Sequence, residues 1–403
     1  MPMPKSIRIL FSTSCTTIYK ANLKCREARQ TLKMGFIVNP IAGMGGRVGL
    51  KGTDNVLERA IQMGAKPVAP FRAIEFLRKL KTLKLEPTII MITCPGTMGE
   101  DEARTATFPA TTLKMLPKSK TIAEDTKLAV KQMIKEKVDL IVFVGGDGTA
   151  KDILDAMQDI KIAPVLGVPS GVKMYSGVFT INPSEAAEVV KAFSEGAVQL
   201  MDFEIMDADE NAIRRDRFSV RLYGFLKGPF VPMRLQGSKQ VSPETLDEHE
   251  NQMAVARFIV ENMDTDGIYI LGPGTTIKCV ADLLGVEKTL LGVDIYRDKA
   301  VMKDVNERKI MQEIKDFQNT WIIVSPIGRQ GMLFGRGNQQ ITPEIIRRVG
   351  KERIIATATK NKIQGIEGGI LRVDTGDLEI DDLLRGYMKV VTDYREWRLM
   401  KVQ

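Results

Sequence analysis

The 403-residue sequence contains one histidine, His249. It lies in the polar stretch "SPETLDEHEN", which reads as a solvated loop or helix start. A Ser-His-Asp triad, a histidine-ligated metal or a histidine base therefore has almost nothing to be built from, and acid–base work falls to carboxylates or lysines. Cysteine is nearly as scarce. Cys15, Cys25, Cys94 and Cys279 form no CxxC pair and no disulfide-like spacing, which argues against structural zinc and for a reducing, cytoplasmic setting. No apolar run approaches the ~18 residues of a membrane span. The formal charge of +8 is spread along the chain, and aromatic-interleaved basic patches are missing. That balance suits an anionic small substrate at least as well as nucleic acid.

With 44% hydrophobic residues the chain has ample material for two domains. Residues 1–33 are rich in basic residues, serine and threonine, carry no acidic residue before Glu27, and lack the strand–loop–helix pattern of the remaining chain. They read as an N-terminal extension, a targeting peptide or sequence upstream of a working start at Met34. From Met34 to about residue 199 the motif is strand, glycine-rich loop, helix, repeated. "GFIV" runs into "NPIAGMGGRVGLKG", "PTIIMIT" into "CPGTMGEDE", and "LIVFV" into "GGDGTAKDILDAM". In "TIAEDTKLAVKQMIKEK", Thr121 and Glu124 have capping-box spacing, and Ala123, Val130, Met133 and Ile134 share a helical face. Thr149 and Asp152 repeat that capping spacing. The fold class is therefore α/β, with a parallel sheet covered on both faces and its glycine-rich loops at the strand ends, where such sheets bind ligands. After residue 200 the texture changes. "RFSVRLYGFLKG" alternates like an antiparallel strand, "GIYILGPGTTIKCVADLLG" is again strand, loop and helix, and further strand candidates continue to residue 403. Residues 200–403 read as a second, mixed α/β domain, with 237–252 its most flexible part.

Glycine loops let backbone N–H groups approach phosphate oxygens, and a following helix N-terminus adds partial positive charge. Three loops qualify: 39–49, 145–149 and 272–276. The commoner motifs fail. In a Walker loop beginning at Gly45, Leu50 occupies the second glycine's place; in GxGxxG, Val48 follows Gly43 and Gly45 where the third glycine belongs. Asp147 distinguishes the central loop. A carboxylate beside a triphosphate is repelled unless a metal or an acceptor hydroxyl stands between, which points to phosphoryl transfer. A tight turn with Asp147 as a helix cap is the plainer alternative, and both stay open at this point.

The blocks "VNPIAGMGG", "GGDGTAKD", "GVPSGVKMYSGVF", "YILGPGTT", "LFGRGNQQITPEIIRRVG" and "LRVDTGD" together resemble the ATP-NAD kinase family, in its AcoX-like branch, over nearly all the chain from Met34. The GGDGT block alone is shared with the wider NAD kinase, diacylglycerol kinase and phosphofructokinase superfamily. The resemblance implies a nucleotide-dependent kinase with Asp147 as the catalytic carboxylate. It implies Gly145, Gly146, Gly148 and Thr149 at the phosphates, with Asn39 and Gly43 nearby. It also implies ATP (or polyphosphate) as phosphoryl donor with Mg²⁺, and NAD as acceptor at its 2′-hydroxyl. No permanent metal, nucleic acid or membrane is expected, and the oligomeric state is open, a homo-oligomer included. Two departures stand out. The Asn-Glu pair of NAD kinases has no counterpart between Thr149 and Gly272; the sole Asn-Glu, Asn306-Glu307, reads as part of a solvated helix. Tyr175 stands where the branch often carries histidine.

Position along the chain adds further candidates. Gly274, Thr275 and Thr276 would hold the ribose or phosphates of one nucleotide, or simply start a helix. Lys51, Asp54 and Lys173 lie beside glycine loops, where such residues are more often solvated surface than ligand, though the two lysines are suited to neutralising phosphate. Arg336, Asn338 and Gln339 form a polar cluster that either reads the acceptor or satisfies its own loop's backbone. The acceptor itself allows alternatives: a lipid or another small alcohol, or a non-enzymatic nucleotide sensor.

Overall fold

The computed structural model describes residues 31–46, 48–50, 57–116, 121–157, 163–171, 174–208, 220–231, 234–235, 246–328 and 330–403. Lys51, Asp54 and Lys173, and most of the stretch 237–252, lie outside these.

The first sheet takes its order from five parallel strands: β1 (Leu32–Val38), β2 (Ile89–Thr93), β3 (Thr111–Thr112), β4 (Leu140–Gly145) and β5 (Val165–Pro169), arranged β3-β2-β1-β4-β5. Strand alternation divides the apolar residues between two faces. Met34, Phe36, Val38, Leu140, Val142 and Val144 pack on helices α2 (Ala69–Thr82) and α6 (Pro183–Ser194), through Phe76, Leu77, Ala187 and Val190. Ile37, Ile141 and Phe143 pack on α4 (Ala123–Lys135) and α5 (Asp147–Met157), through Val130, Met133 and Ile153. Helix α1 (Leu57–Gln62) precedes α2, and α3 (Glu100–Thr105) follows β2. The layered parallel sheet expected from the sequence is what forms.

Local details differ from the sequence reading. β1 begins at Leu32, which is buried and pairs with Ile89, so the strand starts two residues before Met34. Helix α4 starts one residue later than the Thr121–Glu124 spacing implies: the Asp125 carboxylate, not Glu124, turns back to accept the Ile122 N–H at 2.9 Å. Helix α5 starts earlier than expected, at Asp147, so Thr149 sits within its first turn rather than capping it. In α4 the capping spacing is kept but moved on by one residue, to Ile122 and the buried Asp125; in α5 the buried Thr149 accepts from Asn39, a partner that a spacing rule cannot see.

The change of texture near residue 200 is a long antiparallel hairpin, β6 (Gln199–Ala208) and β7 (Val220–Phe230). It packs on the first sheet, since Ile205 and Leu226 share a core with Ile153 and Val165. Beyond it, α7 (Leu246–Glu261) leads into a nine-stranded mixed sheet. Its strands are β8 (Ile268–Leu271), β9 (Asp294–Arg297), β10 (Ala300–Met302), β11 (Thr320–Val324), β12 (Met332–Phe334), β13 (Ile354–Thr357), β14 (Ile370–Val373), β15 (Gly386–Asp393) and β16 (Glu396–Val402). Helices α7 and α8 (Thr275–Leu283) cover one face, through Val255, Ile259, Ile277 and Val280. Later segments cover the other, through Ile345, Ile346 and Ile380. His249 is exposed in the first turn of α7, and Asn306 caps α9 (Glu307–Glu313) by accepting from Lys309 N, both as the sequence suggested.

Candidate active site

The strand order creates the site. β1 connects leftward to β2 and β4 rightward to β5, so the loops leaving these two neighbouring strands diverge and open a crevice at their carboxyl ends. Into it come Asn39 after β1, Gly145 to Thr149 after β4, and Ser170 after β5. The backbone ties them together: Asn39 N–H donates to Val144 O at 2.9 Å, and Ser170 N–H to Gly145 O at 3.1 Å. Asn39 Nδ2 then crosses the crevice to Thr149 Oγ1 at 2.9 Å. Thr149 is buried, and a Cβ on Gly145 would collide with it, which explains a glycine at that strand end. Gly43 answers to a similar constraint. Its φ is +80°, and a Cβ there would overlap the carbonyl oxygen of Ser170. The 39–50 loop is thus drawn against the end of β5, and Gly49 lies beside Asn306 of the second domain.

Asp147 occupies the first turn of α5, where the partial positive charge of the helix start favours a negative group. Its carboxylate is half-buried and held in orientation by two backbone donors. Tyr175 N–H donates to one oxygen at 2.7 Å and Ser176 N–H to the other at 3.0 Å. The "GVKMYSG" segment therefore serves Asp147 through its backbone. The Tyr175 side chain is buried, and burial, with the Asp147 charge added, pushes its phenol further up from an already high value. As a base near neutral pH it is disqualified. Gly146 and Gly148 flank the carboxylate without side chains, and Gly148 is exposed.

The other sequence candidates divide. Gly274, Thr275 and Thr276 sit at the end of β8 and the start of α8, held by second-domain groups: Gly274 N–H donates to Leu290 O at 2.9 Å, and Gln252 Nε2 to Thr275 Oγ1 at 3.2 Å. Asn338 satisfies its own loop, accepting from Gly335 N–H at 3.0 Å and donating to Leu333 O at 2.9 Å. Arg336 does not share that role. It is buried at the domain junction, and the charges acting on its guanidinium include Asp147. Sequence reasoning did not single out Arg72 or Asp374, whose ion pair spans the two domains; Asp374 falls within the "LRVDTGD" block, but nothing in either stretch points to its partner 302 positions away. Among the described residues no three His, Cys, Asp or Glu side chains gather as a metal cage, and no helix is long and apolar enough to cross a membrane.

A backbone-lined crevice at the reversal of a parallel sheet, with one oriented carboxylate at a helix start, is suited to receiving phosphate groups. The chain belongs to the ATP-NAD kinase family: residues 34–198 match the ATP-NAD kinase N-terminal domain and residues 265–402 the ATP-NAD kinase C-terminal domain. No curated protein matches the chain. Among solved structures it is similar to a diacylglycerol kinase from Bacillus anthracis str. Sterne, with 18% identity, a TM-score of 0.21, and coverage of 45% of this chain and 47% of that one. It is also similar to an NAD kinase from Archaeoglobus fulgidus in complex with ATP, with 15% identity, a TM-score of 0.18, and coverage of 44% and 43%. The match spans about half the length of these structures, and the family assignment rests on the two domain matches.

Proposed function

We propose that this protein transfers the γ-phosphoryl group of ATP to the 2′-hydroxyl of NAD, giving NADP and ADP. The observation that carries this reading is the Asp147 carboxylate, oriented by Tyr175 and Ser176 N–H groups in the β1/β4 crevice. The donor's phosphates lie against the 145–149 backbone and the start of α5, with Asn39, Gly43 and Thr149 shaping the floor. Asp147 receives the proton of the acceptor hydroxyl. The freed oxygen bonds to the γ-phosphorus, the bond from that phosphorus to the β–γ bridging oxygen breaks, and ADP leaves with the electron pair. The residues fit Mg²⁺ carried by the nucleotide rather than by a protein cage, because Asp147 is a lone carboxylate there and no acidic cluster accompanies it among the described residues. When bound, the ion would neutralise charge between the β- and γ-phosphates.

Support for a dinucleotide over a lipid comes from the second strand–glycine–helix unit, where β8 (Ile268–Leu271) runs through Gly274 into α8 (Thr275–Leu283) and offers a helix start to a second anionic group. The test offers γ-labelled ATP and Mg²⁺ with NAD, NADH, diacylglycerol or sphingosine in separate reactions. Label in a dinucleotide, lost on chelation and regained with Mg²⁺, is the expected result. Label in a lipid with none in either dinucleotide would overturn the acceptor assignment.

A further inference from the structure

The reversal that opens the first crevice occurs a second time, in the nine-stranded sheet. There β8, β11 and β13 run parallel and side by side. β8 connects through α8 to β9 on one side, whereas β11 connects to β12 at the far edge on the other. The cover changes face as well. α8 shares a core with Val255 and Ile259 of α7, while Ile345 and Ile346, beyond β12, lie in the opposite core. The carboxyl ends of β8 and β11 therefore flank a second point of divergence, the place where open α/β sheets take ligands. Gly274, at φ +121°, leads into α8 at this point, and a Cβ on it would meet nothing within 4 Å, so space is open beside the helix start.

Polar side chains from three strand ends gather here. Gly272 N–H donates to Ile323 O at 2.9 Å, which fixes the end of β8 against β11 two residues before Ser325. Ser325 is 2% exposed and continues the alternation of Trp321 and Ile323 toward the face that α7 and α8 cover. Lys362 lies in the short helix Lys360–Gln364 that follows β13, and its Nζ donates to Ser325 Oγ at 3.0 Å. With neighbouring strands ~4.8 Å apart, that ammonium stands within about 10 Å of the Gly272–Gly274 backbone. α7 spans the same mouth. Gln252 Nε2 donates to Thr275 Oγ1 at 3.2 Å on the β8 side, and one turn away Glu248 accepts from Thr359 Oγ1 at 2.7 Å and Asn361 Nδ2 at 3.0 Å on the β13 side. Among the described residues no carboxylate forms an ion pair with Lys362, and the neutral Ser325 hydroxyl is its one side-chain partner. An ammonium has three donors, so further acceptors have room to bind. Lys362 is half-buried; burial pulls its pKa down to about 8 against the Glu248 charge, which leaves it a cation at neutral pH.

We propose that the carboxyl ends of β8 and β11 form a second anion site, in which Lys362 Nζ and the N–H groups at the start of α8 bind a phosphate group of the acceptor. The naming of the acceptor rests on the phosphotransfer reading above; the site itself rests on the strand order and the Lys362–Ser325 contact. Lysine serves phosphate as a point charge, the helix start adds partial positive charge, and Ser325 holds the ammonium in place. The donor's phosphates and the acceptor's are then held by different domains, each at its own sheet reversal.

The experiment measures NAD, pyrophosphate and ATP binding by calorimetry with Mg²⁺, using the full chain and its Lys362→Gln variant. In the variant NAD should bind about 10- to 100-fold more weakly, while ATP changes by less than about threefold. Should the variant fail to fold, the wild-type chain carries the test: saturating NAD should slow acetylation of Lys362 by acetic anhydride, read by mass spectrometry, and unchanged labelling would overturn the site. NAD affinity within about threefold of wild type, or equal losses for NAD and ATP, would also overturn it. A chain that binds pyrophosphate in a Lys362-dependent way but not NAD would keep the site and overturn NAD as acceptor. A chain that binds ATP but neither NAD nor pyrophosphate would overturn the site and leave the donor side of the phosphotransfer reading standing.

Discussion

Arg72 and Asp374 grip each other at two points, Nη1 to Oδ1 at 2.7 Å and Nη2 to Oδ2 at 2.9 Å, across 302 positions of sequence. Both side chains are over nine-tenths buried. The pair joins the first turn of α2 to the residue after β14, against which the Arg336 loop rests. Burial works against the Arg72 charge, but the Asp374 and Glu75 carboxylates outweigh it and raise its pKa. Removing one partner leaves an uncompensated buried charge. Asp374→Leu should therefore cost about 3–5 kcal/mol, and the double change Arg72→Leu with Asp374→Leu should cost less than the two single leucine changes added together. Denaturant unfolding of the four proteins measures the coupling. A coupling below ~0.5 kcal/mol, the limit of ordinary additivity, would mean that the pair does not fix the junction.

Gly43 gives a second test, this time of the loop after β1. An L-residue at φ +80° is strained, and its Cβ would press on the Ser170 carbonyl, part of a strand end that cannot yield cheaply. Gly43→Ala should lower stability by about 1–3 kcal/mol and weaken ATP binding, because the loop must back away from the crevice. Gly64, also at positive φ but with no atom within 4 Å of where a Cβ would fall, is the control: Gly64→Ala carries only the backbone cost and should leave ATP binding unchanged.

Glu102 predicts a pH dependence. The residue is 4% exposed and its Oε2 has no hydrogen-bond partner. Burial, assisted by Asp101 and opposed by the Glu102 and Gly99 backbone N–H groups, raises its pKa from 4.5 to about 7. Between those values the folded chain holds a proton that the unfolded chain releases. Its stabilising contribution is complete below about pH 4.5 and is lost as the pH rises through about 7. Glu102→Gln should remove that slope and raise stability at pH 8 by roughly 1–3 kcal/mol, read from unfolding curves across the range. Parallel pH profiles for the two proteins would show that the carboxyl is solvated after all.

The layered sheet and the 145–149 loop were legible because each is written in a short stretch: an apolar strand running into glycines, then an amphipathic helix. The partners of Asp147 were not. Its carboxylate meets the N–H groups of Tyr175 and Ser176, and Thr149 meets Asn39 at a separation of 110 residues, through loops that only the strand order brings together. The same limit misplaced the start of α5, where Thr149 answers to Asn39 rather than to cap spacing, while α4 differs only by a local cap made by Asp125 in place of Glu124. Arg336 was singled out with Asn338 and Gln339 as one polar cluster. Sequence cannot separate a residue that caps its own loop, as Asn338 does, from one whose charge reaches Asp147.

In the proposed transfer Asp147 serves the acceptor hydroxyl rather than the helix. Asp147→Asn keeps the shape and leaves an amide oxygen to accept one of the two N–H groups, so the fold and nucleotide affinity should persist. The decisive measurement compares the turnover and ATP affinity of this variant with those of the wild type. A fall in turnover of ~10²-fold or more, with ATP binding within about threefold, is the result the mechanism requires. Turnover within about threefold of wild type would contradict it and return Asp147 to the role of a helix cap.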